Sequence, residues 1–271
     1  MANLYLVATP IGNLSEFTPR AIENLKEVDL IACEDTRTSF TLLKHFNIET
    51  KTISYHEYNE AERSDYLLDL LKEGKDIAII SDAGYPLISD PGYHILHKAI
   101  EAGVNIVPIS GANAAINALV ASGLDSSHYL YYGFLNSKSS IAKKQLLDLE
   151  SFPYTLIFYE APHRIHKTLK LVLETLGDRQ AVIARELTKL HEEFIRGNIS
   201  KLLEKEEYKG ELVLLVEGKK IEEKEVDMNS LIKQVKQQIK KGASSKEAIK
   251  EVAKENNISK NVLYEAYIKN N

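Results

Sequence analysis

Carboxylates, imidazoles and cations in this chain sit where short apolar runs end. Thr9-Pro10-Ile11-Gly12-Asn13 follows the first such run, Glu34-Asp35-Thr36-Arg37 the second and His56-Glu57-Tyr58-Asn59 the third. The fourth leads into Asp82-Ala-Gly-Tyr-Pro-Leu-Ile-Ser-Asp-Pro-Gly92 and the fifth into Ser110-Gly-Ala-Asn113. Later runs deliver Glu160-Ala-Pro-His-Arg164 and Arg185-Glu-Leu-Thr-Lys189. Carboxylates and imidazoles can accept or give a proton. Arginine and lysine can hold anionic oxygens. Turns need Gly, Pro, Asp and Ser in any case, so one such loop alone reads as a turn. Seven together, several of them charged, read as one large ligand cleft.

The elements that must position these loops alternate between two periods. Leu4–Ala8, Asp29–Cys33, Thr52–Tyr55, Asp76–Ser81, Asn105–Ile109, Tyr129–Gly133, Thr155–Glu160, Ala181–Ala184 and Glu211–Glu217 read as strands, several of them apolar throughout. Helical stretches lie between them. Thr18-Pro19 opens one in the N-cap and N1 positions. Tyr58–Glu73 stops at Gly74, and Tyr93–Ala102 stops at Gly103. The class is α/β, with mostly parallel pairing in at least the first half. Glu193–Gly197 and Glu211–Glu217 could form an antiparallel pair. In open α/β sheets, ligands bind beyond the carboxyl ends of the strands, which is where the charged loops fall.

A Gly/Ser/Asp stretch at Ser122–Ser127 marks the expected internal boundary, between residues 1–122 and 123–220. The charged run Gly218–Asp227 reads as a linker to a helical tail, 228–271. In the tail, Ser244-Ser245 and Ser259 are candidate helix caps and Asn256-Asn257 a turn. That is the outline of a helix-turn-helix, and equally of a small structural bundle.

Several functions are excluded by what is missing. No Gly-x-Gly-x-x-Gly follows the first strand, and there is no P-loop, His-Glu-x-x-His or Gly-x-Ser-x-Gly. The one cysteine, Cys33, cannot make an internal disulfide, a thiolate zinc site or an iron–sulfur cluster. It reads as a small buried residue and suits a reducing cytoplasm. The start of the chain lacks a basic, then apolar, leader pattern. No apolar run approaches the ~18 residues of a spanning helix. No His/Asp cluster has metal-ligand spacing, and no metal is expected. The 271 residues carry a net charge of −5, which disfavours nucleic acid as a partner until it is divided. Residues 228–271 hold nine Lys against four Glu, a charge of +5, leaving −10 on the rest.

Six segments carry a resemblance: Ala8-Thr-Pro-Ile-Gly-Asn-Leu14, Ala32-Cys-Glu-Asp-Thr-Arg37, Ser54-Tyr-His-Glu57, Ser81 to Gly92, Phe158-Tyr-Glu-Ala-Pro-His-Arg164 and Ala184 to Phe194. In order, they resemble the small-subunit ribosomal RNA methyltransferases of the tetrapyrrole methylase superfamily, from about Asn3 to Gly218. Tyr85 and Leu87 depart from the usual Thr and small residue. Ser110-Gly-Ala-Asn113 departs from the usual Pro-Gly-Pro-Ser. The resemblance implies two α/β domains of the class III type, with S-adenosylmethionine (SAM) folded between them. It further implies a homodimer and 2′-O-methylation of a cytidine ribose in the decoding region of 16S rRNA, with the small ribosomal subunit as partner.

Carried onto this chain, the resemblance implies cofactor contacts at Asp82, Gly84, Tyr85, Ile88, Ser89, Asn113, Ala114, Phe158, Tyr159 and Ala184. Asn113 can equally be a helix N-cap. Candidates for the base that takes the ribose proton are Glu34, Asp35, His56 and Glu160. Arg37, Arg164, Arg185 and Lys189 are candidates for RNA phosphates. Two other readings stay open. One is a tetrapyrrole or other small-molecule methyltransferase. The other is a nucleic-acid-binding regulator with a ligand-sensing body, which leaves the seven loops without chemistry.

Overall fold

A computed structural model describes residues 2–220, 227–256 and 258–270. Residues 221–226 of the expected linker and Asn257 of the expected turn lie outside the described residues. The chain divides into two compact units, one up to Lys219 and one from Lys220.

The first unit holds two five-stranded sheets. Strands β1 (Asn3–Val7), β2 (Leu30–Cys33), β3 (Thr52–Ser54), β4 (Ile77–Ile80) and β5 (Asn105–Ile109) are all parallel, in the order β3-β2-β4-β1-β5. Helices α1 (Pro19–Glu27), α2 (Thr36–His45), α3 (Glu60–Lys72) and α4 (Tyr93–Glu101) connect them. Both faces of this sheet are covered, which is why its inner strands β2 and β4 are apolar and buried at every position. Ile31, Cys33, Ala78 and Ile80 pack with Leu25 and Leu43 on one face. Leu30, Ala32, Ile77 and Ile79 pack with Leu67, Leu71 and Ile95 on the other. As expected, Thr18 caps α1 by accepting from the Ala21 N–H, and Pro19 follows it.

Helix α5 (Ala114–Ser122) ends at Gly123, whose φ of +83° suits glycine, and leads to the second sheet. That sheet contains β6 (Tyr129–Phe134), β7 (Thr155–Glu160), β8 (Gln180–Arg185), β9 (Glu193–Asn198) and β10 (Leu212–Val216), in the order β6-β7-β10-β8-β9. Only β6 and β7 pair in parallel. The segments expected to pair with each other, β9 and β10, instead flank β8, each antiparallel to it. The reason is burial. β10 is buried at all five positions and takes an inner place, whereas β9 is half-exposed and suits an edge.

Helices α6 (Ser139–Asp148), α7 (Ile165–Leu176) and α8 (Ile199–Leu203) cover one face of this sheet, over Leu156, Phe158, Ile183 and Leu214. The opposite face, with Ile157, Val182, Val213 and Leu215, packs on Ala115, Ala118 and Leu119 of α5 and on Ile11. Each such buried aliphatic side chain contributes about 1.5–3 kcal/mol. Helix α5 therefore fixes the start of the second sheet against the loops of the first.

The second unit has three helices, α9 (Met228–Lys240), α10 (Ser245–Glu255) and α11 (Lys260–Lys269). They share a core of Leu231, Val235, Ile249, Val252 and Leu263. Ser244 caps α10 and forms a capping box with Glu247. Ser259 precedes α11 as expected, but its side chain makes no capping hydrogen bond.

Candidate active site

The loops after β1 and β4 are joined backbone to backbone. The Thr9 N–H donates to the Gly84 carbonyl at 2.8 Å, and the Gly84 N–H returns to the Thr9 carbonyl at 3.1 Å. Gly84 has φ +82°, a conformation open to glycine. The loop after β5 lies against them. A Cβ on Gly111 would stand 2.8 Å from the Ala8 Cβ, and the Gly111 N–H donates to the Tyr85 hydroxyl at 3.1 Å. Leu87 and Ser89 both hold φ +70°, a strained state for residues with a Cβ. The Ser89 Oγ lies 2.7 Å from the Tyr131 hydroxyl of the second sheet. The far end of the loop is held by Glu60, whose Oε1 accepts from the Gly92 and His94 N–H groups at 2.9 and 3.1 Å.

These loops enclose a cavity of about 380 Å³, within the range of small-molecule sites. Of the expected cofactor residues, Gly84, Tyr85, Ile88, Ser89, Asn113, Ala114 and Tyr159 line it. Asn113 also caps α5, accepting from the Ile116 N–H at 3.0 Å, so both of its readings coexist. Three residues fall elsewhere. Asp82 lines a neighbouring groove instead. Phe158 is turned into the core beneath α7, because successive strand residues face opposite sides and Tyr159 takes the cavity side. Ala184 is buried under Tyr131 and Tyr159.

The base candidates separate by surroundings. Asp35 caps α2 and binds the Arg37 guanidinium at 2.7 Å; its hydrogen bonds to Arg37 hold it down at about 2. Glu160 is buried, and its carboxylate takes the Ala161 N–H, the Thr168 hydroxyl and the Arg164 guanidinium. With those donors it positions the turn into α7, and it also lines the cavity. Burial, then the Asp82 charge, raises the Glu34 carboxyl. The His56 ring has one nitrogen near the Asn59 amide, at 3.3 Å, and the other buried without a partner. Glu34, Asp35 and His56 line neither the cavity nor the groove.

Asp90 does line the cavity, and it was not among the expected site residues. Burial, then the neighbouring Glu34 and Asp82 charges, pushes its carboxyl up to about 6. In sequence it reads as turn punctuation between Ser89 and Pro91. The available signal was like-charge crowding among three strand-end acids.

The groove that shares Ile11, Ala83 and Glu211 with the cavity has a volume of about 770 Å³ and is lined by Gly12, Thr38, Thr41 and Lys44 among others. Of the four expected phosphate ligands, Lys189 reaches it, with Nζ 3.0 Å from Glu186 and 3.1 Å from Glu211. Arg37 is exposed beside Asp35. Arg164 turns inward to the Leu135 carbonyl at 3.0 Å, and Arg185 binds Glu193 at 3.0 Å and the Lys209 carbonyl at 3.2 Å. Among the described residues, no group of three His, Cys, Asp or Glu could hold a metal ion. None of the described helices is long and apolar enough to cross a membrane.

A family profile for tetrapyrrole (corrin/porphyrin) methylases matches residues 3–203. A protein of Bacillus subtilis (strain 168) named ribosomal RNA small subunit methyltransferase I is 46% identical, over 98% of this chain and 94% of that protein. One of the same name from Halalkalibacterium halodurans is 47% identical, over 97% and 94%. The chain is a tetrapyrrole methylase of the ribosomal RNA small subunit methyltransferase I family.

Solved structures share the fold at low identity. A uroporphyrin-III-C-methyltransferase from Thermus thermophilus aligns with TM-score 0.56 at 17% identity, over 80% of this chain and 94% of that one. A diphthine synthase aligns with TM-score 0.62 at 14% identity, over 81% and 90%. The methyl donor of tetrapyrrole methylases is SAM, and the cavity residues fit it. Ile11, Leu187, Leu212 and Val213 offer apolar walls, Gly84 a close backbone approach and Asp90 a carboxylate for a cationic ligand.

Proposed function

We propose that this protein transfers a methyl group from SAM to the 2′-hydroxyl of a cytidine ribose in the decoding region of 16S rRNA, within the small ribosomal subunit. The observation that carries the reading is a cavity of about 380 Å³ with the Asp90 carboxylate at its wall, open beside a groove with lysines. The names of relatives at 46 and 47% identity support small-subunit ribosomal RNA as the substrate class.

SAM supplies an electrophilic methyl carbon on a positively charged sulfur. The loop Asp82–Gly92, strained at Leu87 and Ser89 and tied at Tyr85, Ser89 and Gly92, holds one geometry. A fixed geometry of this kind replaces an entropic cost during reaction, and alignment alone supplies several kcal/mol. Held by this loop, SAM would offer its methyl carbon to the ribose oxygen, the sulfur keeping the bonding electron pair. The hydroxyl proton passes to the Asp90 carboxylate. A base near pH 6 is ionised at neutral pH and still takes a proton readily. Lys189, Lys44 and the Thr38 and Thr41 hydroxyls border the path of the nucleotide. Residues 1–122 and 123–220 act as the two domains of the cleft, and the working form is a homodimer in the cytoplasm.

The test offers labelled SAM with undermethylated small subunits, naked rRNA and a porphyrinogen. Label is expected at a ribose 2′-oxygen of the subunit RNA. Label only in the porphyrinogen makes this a small-molecule methyltransferase. Tight nucleic-acid binding with no transfer to any substrate makes it a regulator.

A further inference from the structure

Helix α2 has one face in the groove and another in solvent. Thr38, Thr41, Leu42 and His45 line the groove. Arg37, Phe40 and Lys44, spaced three and four residues apart, form the outer ridge beside it. Phe40 is 63% exposed, an unusual state for a phenyl ring on a helix that also buries Leu43. The Lys44 ammonium lies 5.8 Å from the centre of that ring. The helix carries Arg37, Lys44 and His45 and no carboxylate, although residues 1–227 have a net charge of −10. Of its acidic neighbours, Asp35 is taken by the N-cap and Arg37, and Asp82 by the Asp35 N–H and the Thr38 hydroxyl.

We propose that this ridge is a stacking platform for single-stranded RNA, holding a nucleotide next to the methylated one. This rests on the rRNA reading above. An exposed aromatic ring between two cations is the pattern that single strands use, because every base has a face to stack and every linkage has a phosphate to neutralise. The charge argues for RNA over an apolar protein segment: two permanent cations flank one ring. The groove supplies direction, since Lys44 belongs to both the ridge and the groove that opens beside the cofactor cavity. A base stacked on Phe40 places the next nucleotide of the strand towards that groove. Within the groove, Asp82 and Glu211 repel phosphate, so the backbone follows the cationic rim.

The experiment measures anisotropy of a short labelled single-stranded RNA carrying the target cytidine and its flanks, with full-length protein, across a salt series. Methyl transfer to undermethylated small subunits and calorimetric SAM affinity are measured in parallel. Phe40→Ala is expected to weaken RNA binding by about fivefold or more, since stacking contributes about 1–3 kcal/mol per base. Phe40→Trp keeps wild-type affinity, and Lys44→Ala lowers the salt slope by about 0.7. SAM affinity stays unchanged in all three. Wild-type RNA affinity in Phe40→Ala, or equal weakness in Phe40→Trp, overturns the platform. So does a loss confined to whole subunits, which makes the ridge a protein-docking surface. A wild-type enzyme that methylates no ribosomal RNA overturns the parent reading instead.

Discussion

Asp90 shows how one side chain can be unreadable in sequence and informative once its neighbours are known. Its type and position say turn. Its elevated pKa comes from burial, from Glu34 on another strand's end and from Asp82 at the start of its own loop. Other features were legible and needed only a rule of alternation: Phe158 and Tyr159 are adjacent on a strand, so they could not share a cavity wall. The titration of Asp90 gives a two-part prediction. An unfolded aspartate titrates at about 3.9. The folded group, at about 6, binds its proton more tightly, so stability falls as pH rises between these values and the penalty persists above them. Asp90→Asn removes that penalty. It is expected to melt above the wild type at pH 8, with the gap closing by pH 4, while methyl transfer falls by about 10²–10⁴-fold. Wild-type kcat/KM should decline below about pH 6 in step with Asp90 protonation. Melting scans and pH–rate profiles check both halves. Full activity in the variant would remove Asp90 from the proton path.

The strained loop after β4 is held by a helix that does not line the cavity. Glu60 at the start of α3 takes N–H groups from Gly92 and His94 and the Tyr55 hydroxyl, thereby fixing the end of the strained loop and the start of α4. Glu60→Ala leaves those donors unmet, at a cost of about 1–3 kcal/mol. The expected result is a lower Tm together with weaker SAM binding by calorimetry, with transfer recovering at saturating SAM. Unchanged SAM affinity would mean the loop keeps its shape without the latch. The first sheet could be read from sequence because parallel βα units bury both strand faces and place their caps nearby, as Thr18 does for α1. The second sheet resisted because β10 pairs with β7 and β8, both far away along the chain. Nothing local in Leu212–Val216 names its neighbours. Only its complete burial sends it to the middle, and that is a property of the folded sheet.

The whole molecule divides its charge as it divides its structure. The helical unit from Lys220 has its own core, so its lysines are free of the duty of packing, and Lys233, Lys240, Lys250 and Lys254 are exposed. A chain of net charge −5 thus carries a basic appendage and a basic ridge rather than a uniformly positive face. Binding of that kind depends on salt through the number of phosphates neutralised, and each lost contact removes a fixed increment from the slope. Replacing the four lysines with glutamine in the full-length protein leaves the core residues Leu231, Val235, Ile249 and Val252 untouched. The expected outcome is weaker binding of small subunits and a smaller salt slope, with SAM affinity and thermal stability unchanged. Subunit binding measured between low and physiological salt decides this. If slope and affinity match the wild type, the helices serve the architecture of the protein and the RNA contacts reside on the cleft unit.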